Sequence, residues 1–207
     1  MSKVRTETIA EVHELIGNRW SPRAYDVSRP VEREKLLSIL EAARWAPSCF
    51  GDEPWRYVVC DRSADETAWQ SMLACLAEKN RLWASHAPLL LLACSDAQFR
   101  QNGNPNRWGQ YDTGAASISL CLQATALGLA SHQMGGFDVE DARKAFAVPE
   151  QYMPMAVIAI GYAGSIDDLD EGFAAVEKGE RKRQPLSGNF FSGRWGEGLF
   201  AESREGA

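Results

Sequence analysis

Two short clusters of cationic side chains are the first candidates for chemistry in this sequence. In the N-terminal cluster, residues 19–23, Arg19 and Arg23 stand four residues apart with the Ser21 hydroxyl between them. In the C-terminal cluster, residues 181–183, Arg181 and Arg183 project on one side if the segment is extended. Guanidinium groups bind phosphate through paired, charge-assisted hydrogen bonds, so both clusters could hold a phosphate. From spacing alone, a solvated surface patch is the commoner outcome.

Two loops could present backbone groups to a ligand. The first is the segment from Pro47 to Trp55, which contains Ser48, Cys49 and Gly51 and is stiffened by prolines near both ends. The second is Gly135-Gly136-Phe137-Asp138, where missing side chains allow the backbone a close approach. The alternatives are a tight connection with its aromatic residues in the core, and a plain turn into a helix capped by Asp138.

The charge balance argues against two classes of binding partner, nucleic acids and anionic membranes. The chain has 207 residues, with 22 Lys and Arg against 28 Asp and Glu, and a formal net charge of −6. Proteins that bind nucleic acid or anionic membranes carry a basic excess over a whole face, so we expect neither partner. Residues 18–29 and 178–183 are nevertheless locally basic, which makes the two clusters the exception to be explained.

The sequence contains little that indicates another kind of nucleotide or catalytic site, a metal site, secretion or a membrane span. The sequence contains no Gly-rich dinucleotide fingerprint, no P-loop and no nucleophile elbow. The five cysteines are widely spaced and the three histidines are far apart, which predicts buried reduced thiols and no metal site. The N-terminus lacks the apolar segment of a secretory signal, and the apolar run from Ala87 to Cys94 is too short to span a bilayer. We therefore expect a cytoplasmic protein.

Hydrophobic periodicity predicts an α+β or mixed α/β sandwich. The predicted helices and strands are listed together here: helices from Thr6 to Ile16, from Arg29-Pro30-Val31 to just before Pro47, from Ala68 to Ala77, from Tyr111 to Gly128 and from Val139 to Phe146; strands from Trp55 to Cys60, Leu89 to Cys94, Leu129 to Met134 and Ala156 to Tyr162. The fourth of these helices is apolar nearly all round with many small residues, so it should be central, in either a monomer core or a subunit interface. The acidic run from Asp167 to Glu171 is expected to be a solvated loop.

Taken in order, the two clusters and the two loops resemble the flavin-dependent (FMN) nitroreductase family, over about residues 12 to 190. The resemblance implies a single FMN-binding domain over 1–207 with a C-terminal extension at about 187–207. Its fold would be an α+β three-layer sandwich with a central mixed or antiparallel sheet flanked by helices. It also implies a homodimer with FMN at the subunit interface, and no nucleic acid or membrane partner.

The same resemblance implies an activity. Hydride would pass from NADH or NADPH through flavin N5 to a nitroaromatic, a quinone or a similar small-molecule acceptor by a ping-pong mechanism. The alternatives are another flavin reaction of the family, such as ene reduction, dehalogenation, azoline oxidation or flavin fragmentation, and a flavin-binding protein without turnover. No side chain is assigned as a catalytic acid or base.

Individual residues can be matched to the family's motifs. The expected cofactor-binding residues are Arg19, Trp20, Ser21 and Arg23 in the N-terminal motif, Pro47, Ser48 and Cys49 in the segment that the other subunit lays against the flavin, Gly51 in the same loop, Gly135 and Gly136 beside the ring, and Arg181 and Arg183 at the phosphate. The sequence departs from the family at two positions, with Gly51 where Asn is frequent and Glu53 where Gln is frequent. These departures bear on redox tuning and on the choice of acceptor.

Overall fold

A computed structural model describes residues 8–199, which form eight α-helices and four β-strands. The strands are β1 (Trp55–Asp61), β2 (Leu89–Asp96), β3 (Ala130–Met134) and β4 (Tyr152–Gly161). The helices are α1 (Glu14–Asn18), α2 (Arg33–Arg44), α3 (Glu66–Cys75), α4 (Glu78–Ala84), α5 (Gly109–Ala126), α6 (Val139–Ala145), α7 (Glu171–Lys178) and α8 (Leu186–Asn189).

The four strands form one antiparallel sheet in the order β1-β2-β4-β3. Every residue of β2 is buried, as its uninterrupted apolar run predicts for a strand covered on both faces. Alternate side chains of β2 enter different cores, because successive residues of a strand point to opposite faces. Leu90 and Leu92 pack with α3, α4 and α6, whereas Leu89 and Leu91 pack with α2 and α5. The predicted α+β three-layer sandwich is confirmed, with a sheet that is wholly antiparallel.

Helix α5 closes tightly on the sheet through Gly109, where a Cβ atom would lie 2.4 Å from the Asp96 carbonyl oxygen. Its inner side buries Ala116, Leu120 and other small or apolar residues. Its outer side leaves Tyr111 80% exposed and Ile118 41% exposed. The helix thus contributes one face to the core of this chain and leaves a second apolar face uncovered.

The N-terminal helix is much shorter than its periodicity predicts. Residues 8–13 are not helical, and α1 covers only Glu14–Asn18, with the His13 ring accepting a hydrogen bond from the Leu15 N–H. Ile9 is 83% exposed, so the apolar stripe at this end has no core to pack against within the chain. A short helix without such packing is marginal. Residues 6 and 7 of the predicted helix lie outside the described residues.

The acidic residues of the run from Asp167 to Glu171 are exposed to solvent, as expected, but the run is part of a 3-10 turn and a helix and is not a loop. Asp167 and Asp168 lie in a 3-10 turn capped by the Ser165 hydroxyl, Asp170 precedes α7, and Glu171 lies in the first turn of that helix. Carboxylates are favourable at a helix N-terminus because they oppose the positive end of the helix dipole. Three helices were not predicted, α4, α7 and α8, and α7 proves important for the candidate site.

The predicted C-terminal extension is described as far as residue 199. Helix α8 is followed by a narrow turn in which Phe191 pairs with Gly198 and the Phe191 and Trp195 rings lie 4.9 Å apart. Residues 200–207 lie outside the described residues. Among residues 8–199, no helix combines the length and the apolar character needed to cross a bilayer.

Candidate functional site

The two cationic clusters meet in the folded chain, and Arg181 joins them. Its guanidinium group donates hydrogen bonds to the backbone carbonyls of Gly17 at 2.8 Å and Arg19 at 3.2 Å. Arg181 lies outside the helices and strands, in the segment between α7 and α8. Arg181 therefore fixes the end of α1 and the start of the N-terminal cluster against the segment that follows α7.

Arg23 is held by a buried carboxylate on α7. Its guanidinium group lies 3.2 Å from Oε1 of Glu177, and its backbone N–H donates to Oε2 of the same side chain at 3.3 Å. The Glu177 side chain is 1% exposed. The guanidinium carbon also lies 5.9 Å from the ring centroids of both Trp83 and Phe173. Sequence reasoning did not identify Glu177, because its partner is 154 residues away.

The remaining arginines of the clusters carry a different set of contacts. Arg19 donates to the Ser21 hydroxyl at 3.4 Å, and Arg183 donates to the neighbouring Lys182 carbonyl at 2.9 Å. Within the described part of the chain, neither Arg19 nor Arg183 forms a salt bridge. Their positive charge is therefore not neutralised by a carboxylate in the way that the charge of Arg23 is.

His132 on β3 connects the N-terminal cluster to the sheet. Its Nδ1 atom lies 3.0 Å from the Pro22 carbonyl oxygen, and its ring lies 4.6 Å from the Trp83 ring. Burial, with the nearby positive charges of Arg23 and Arg19, lowers the pKa of His132 to about 4. The imidazole is therefore neutral near pH 7 and contacts the Pro22 carbonyl without adding charge. This role of His132 has no signal in the sequence, since the three histidines have no common spacing.

The loop after α2 has an unusual backbone. Cys49–Gly51 form a 3-10 turn, and Phe50, Gly51 and Glu53 have φ angles of 56°, 65° and 50°. Left-handed conformations of this kind cost energy for residues other than Gly, with Asn the best tolerated of the rest. Gly51 and the Asn that the family often has there thus suit the same backbone. Such strain is found where surrounding structure holds a segment in place.

Hydrogen bonds from the start of α5 and from the segment before it hold this loop. The Cys49 N–H donates to the Asp112 carboxylate at 2.9 Å, and the Glu53 N–H donates to the Ser48 hydroxyl at 3.0 Å. The buried Asp52 accepts from the Arg100 N–H at 2.9 Å and from the Asn106 side chain at 3.4 Å. Pro47 and Phe50 are exposed at the surface of this loop.

The two glycines after β3 have different surroundings. The Gly136 carbonyl accepts hydrogen bonds from the Ala77 N–H and from Nδ2 of Asn80, both at 3.0 Å. A Cβ atom on Gly136 would lie 2.7 Å from Nδ2 of Asn80 on α4, so a side chain at this position would have to displace the Asn80 amide. A Cβ atom on Gly135 would meet nothing within 4 Å. The backbone at Gly135 is therefore open to a ligand.

The predicted residues fall into two groups within one chain. The N-terminal and C-terminal clusters are joined by Arg181, and His132 links them to β3, three residues before Gly135. The loop of residues 47–54 is anchored on α5 and on residues 100–106 instead. In the part of the chain that is described, its hydrogen bonds do not reach either cluster or the two glycines.

Comparisons with known proteins agree over most of the chain. A sequence model of the Nitroreductase family matches residues 16–162. A solved structure described as an oxidoreductase containing FMN is 33% identical, with a TM-score of 0.87 and coverage of 95% of this chain and 100% of that one. A nitroreductase family protein from Clostridium difficile 630 is 30% identical, with a TM-score of 0.65 and coverage of 84% and 94%.

A curated relative shows the same pattern in sequence. A protein of Methanothermobacter thermautotrophicus that is provisionally named NADH dehydrogenase/NAD(P)H nitroreductase is 32% identical over 178 residues, 81% of this chain and 87% of that protein. The span matched by the family model includes the N-terminal cluster, the loop of residues 47–54 and the two glycines after β3. The C-terminal cluster lies beyond that span.

Proposed function

The chain belongs to the nitroreductase family, and on that basis we propose that it is an FMN-dependent oxidoreductase that uses NADH or NADPH. One observation carries the assignment of the cofactor site. Arg181 joins two cationic clusters that are distant in sequence, and the guanidinium groups of Arg19 and Arg183 carry no carboxylate partner among residues 8–199. Guanidinium groups placed in this way suit a compact dianion such as the FMN phosphate.

The residues present fit an elongated flavin nucleotide. Ser21 and Trp20 lie half-buried between Arg19 and Arg23, and the open backbone at Gly135 offers a surface without side chains for a planar ring. When bound, FMN supplies a ring nitrogen, N5, that accepts hydride from NAD(P)H and passes it to an oxidised acceptor. The chain's own residues then bind and orient the cofactor and both substrates. No side chain is assigned as an obligatory acid or base.

We propose further that two chains complete the site as a homodimer. The segment Pro47, Ser48, Cys49 and Gly51 would lie against the flavin held by the other subunit, because its loop is held by α5 and residues 100–106 and forms no described hydrogen bond to the clusters of its own chain. A set of exposed apolar side chains on the loop, at the end of α2 and on α5 supports this arrangement, since exposed aromatic residues are typical of interfaces. Its members are Trp45 at 76% exposure, Phe50 at 79%, Tyr111 at 80% and Ile118 at 41%.

The oligomer can be tested with a matched pair of variants. Ile118→Asp places a charge on the proposed interface, whereas Leu82→Asp places one at an exposed position, 54% accessible, on α4 in the opposite layer. Light scattering after size exclusion should give a dimer for the wild type and for Leu82→Asp, and a monomer that has lost FMN for Ile118→Asp. A wild-type monomer that retains FMN would contradict the shared site.

The activity is tested with the purified protein. We expect the absorption spectrum of bound oxidised flavin, bleaching of that spectrum by NADH or NADPH without oxygen, and recovery of the spectrum on adding a nitroaromatic compound or a quinone. Parallel lines in double-reciprocal plots would follow, because one cleft serves both substrates in turn. Protein that is colourless and does not bind added FMN would refute the proposal.

Two other outcomes would leave the protein a flavoprotein but change the reaction that we propose for it. Bound FMN that NAD(P)H does not bleach, but that reacts after chemical reduction, would favour one of the family's other reactions, such as flavin fragmentation with oxygen. Bound FMN without turnover under any acceptor would favour a binding protein. The loop with Gly51 and Glu53 in place of the frequent Asn and Gln is where we would look for the cause of either outcome.

A further inference from the structure

Glu177 offers an unexpected carboxylate next to a cationic cluster that we propose to bind phosphate. We infer that Glu177 is a positioning residue: it fixes the N-terminal cluster through Arg23 and withholds the Arg23 guanidinium from the FMN phosphate, which Arg19 and Arg183 bind instead. This inference rests on the proposed function and assigns different roles to the arginines of the two clusters.

The contacts of Glu177 are those of a structural anchor. Its two carboxylate oxygens accept from the backbone N–H and from the guanidinium of the same residue, Arg23, at 3.3 and 3.2 Å. A carboxylate that is 1% exposed cannot be rehydrated in place, so removing its cationic partner is strongly unfavourable. The ion pair uses Nη1 of Arg23, and a ligand that drew the guanidinium group away from Glu177 would impose that penalty at every binding event.

The surroundings of Arg23 add a second restraint. The Trp83 and Phe173 rings each lie 5.9 Å from its guanidinium carbon, so the group is confined by aromatic surfaces as well as by the carboxylate. A phosphate placed against this ion pair would also approach the negative charge of Glu177. Arg19 and Arg183 have no carboxylate within salt-bridge distance in residues 8–199, which makes them the better phosphate ligands.

One segment holds both ends of the N-terminal cluster. Glu177, near the end of α7, anchors Arg23, and Arg181, four residues later, anchors the carbonyls of Gly17 and Arg19. Residues 17–23 are thereby fixed at two points before any ligand arrives. Preorganisation of this kind increases affinity, because less ordering is required on binding. Helix α7 thus acts on cofactor binding through Arg23 and not by contact with the cofactor.

The experiment compares FMN with riboflavin, which carries the same ring and ribityl chain but no phosphate. Dissociation constants for both are measured by flavin fluorescence quenching on apoprotein, and the ratio of the two constants reports the contribution of the phosphate. The variants are Arg19→Gln, Glu177→Gln and the double variant Arg23→Gln/Glu177→Gln. The double variant removes both charges of the ion pair, so it leaves no unpaired buried charge and should fold. Circular dichroism spectra of the variants check that they are folded.

Each variant has its own expected result. Arg19→Gln should reduce the preference for FMN over riboflavin by about tenfold or more, as for loss of a hydrogen bond to a charged group. The double variant should weaken both flavins alike and leave their ratio within about twofold. Glu177→Gln removes the neutralising charge and should raise the preference for FMN by about twofold to fivefold, the size of a partly exposed charge interaction.

The inference has definite points of failure. A double variant that loses the preference for FMN as fully as Arg19→Gln would show that Arg23 is a phosphate ligand and would overturn it. A preference that is unchanged or reduced in Glu177→Gln would overturn the proposed neutralisation. If the wild type binds neither flavin, both the proposed function and this inference are wrong. That outcome is seen with the wild type alone, so it is distinguishable from a failure of the inference, which only the variants reveal.

Discussion

The adjacent glycines after β3 allow a sharp test of how α4 supports the candidate site. The Gly136 carbonyl accepts from Asn80, and a methyl group on Gly136 would lie 2.7 Å from the Asn80 amide nitrogen. No such neighbour exists within 4 Å for Gly135. We therefore predict that Gly136→Ala displaces the Asn80 side chain and breaks its hydrogen bond, whereas Gly135→Ala leaves the fold unchanged.

The expected magnitude follows from that single contact. The nearest atom is the end of a flexible side chain, so the Asn80 amide can rotate away, and the cost is about 1 kcal/mol for one hydrogen bond. Replacing Gly by Ala also stabilises by about 0.4–1 kcal/mol through the unfolded chain where the backbone conformation permits. That contribution is common to both substitutions, so the difference between Gly136→Ala and Gly135→Ala isolates the contact.

The assay is urea unfolding of the apoprotein with linear extrapolation, extended to a double-mutant cycle. Asn80→Ala alone should cost about 1 kcal/mol by loss of the same hydrogen bond. Added to Gly136→Ala, it should cost almost nothing further, which gives a coupling of about 1 kcal/mol between the two positions. Strictly additive effects, or equal stabilities for the two glycine variants, would refute the argument.

Three further predictions concern the site. Gly135→Ala should weaken FMN binding without loss of stability, as measured by flavin titration and urea unfolding, because its open backbone is where we place the ring. Asp52→Ala should lower the free energy of unfolding by about 2 kcal/mol, since two donors lose their buried acceptor, while the exposed Glu53→Ala serves as control and should change it by less than about 0.5 kcal/mol. The pKa of His132, about 4 in the native state against its usual 6.5, means that below pH 6.5 the unfolded chain binds a proton that the native chain refuses. Stability should therefore fall by about 3 kcal/mol more between pH 7 and 4 in the wild type than in His132→Gln, and parallel pH profiles would contradict this.

The sequence predicted best where burial is extreme. The run from Leu89 to Cys94 was suited to a strand covered on both faces, and β2 is such a strand, extended by two residues to Asp96. The helix predicted from Thr6 to Ile16 is wrong over residues 8–13, because apolar periodicity indicates a helix only when a surface exists for it to cover. That surface is absent around Ile9 within this chain.

Helix α7 was missed for a different reason. The acidic residues ahead of it resemble a solvated loop by composition, but Asp170 and Glu171 are the residue types that favour a helix N-terminus. Capping signals and solvated runs use the same residues, so composition alone could not separate them. The omission mattered, since α7 carries Glu177 and Phe173, both in contact with Arg23.

The cationic clusters show where charge counting succeeds and where it stops. Their spacing predicted an anion site, and the fold brings them together through Arg181. Counting charged residues also treated the Arg23 guanidinium group as unpaired. In the structure its charge is neutralised by the Glu177 carboxylate, 154 residues away in sequence. The cations in a segment are thus an upper limit on those available to a ligand, because a buried carboxylate elsewhere in the chain can claim one of them. For an acidic protein that we propose to bind one phosphate, the relevant cluster arginines are those without a carboxylate partner, and among the described residues Arg19 and Arg183 are of this kind.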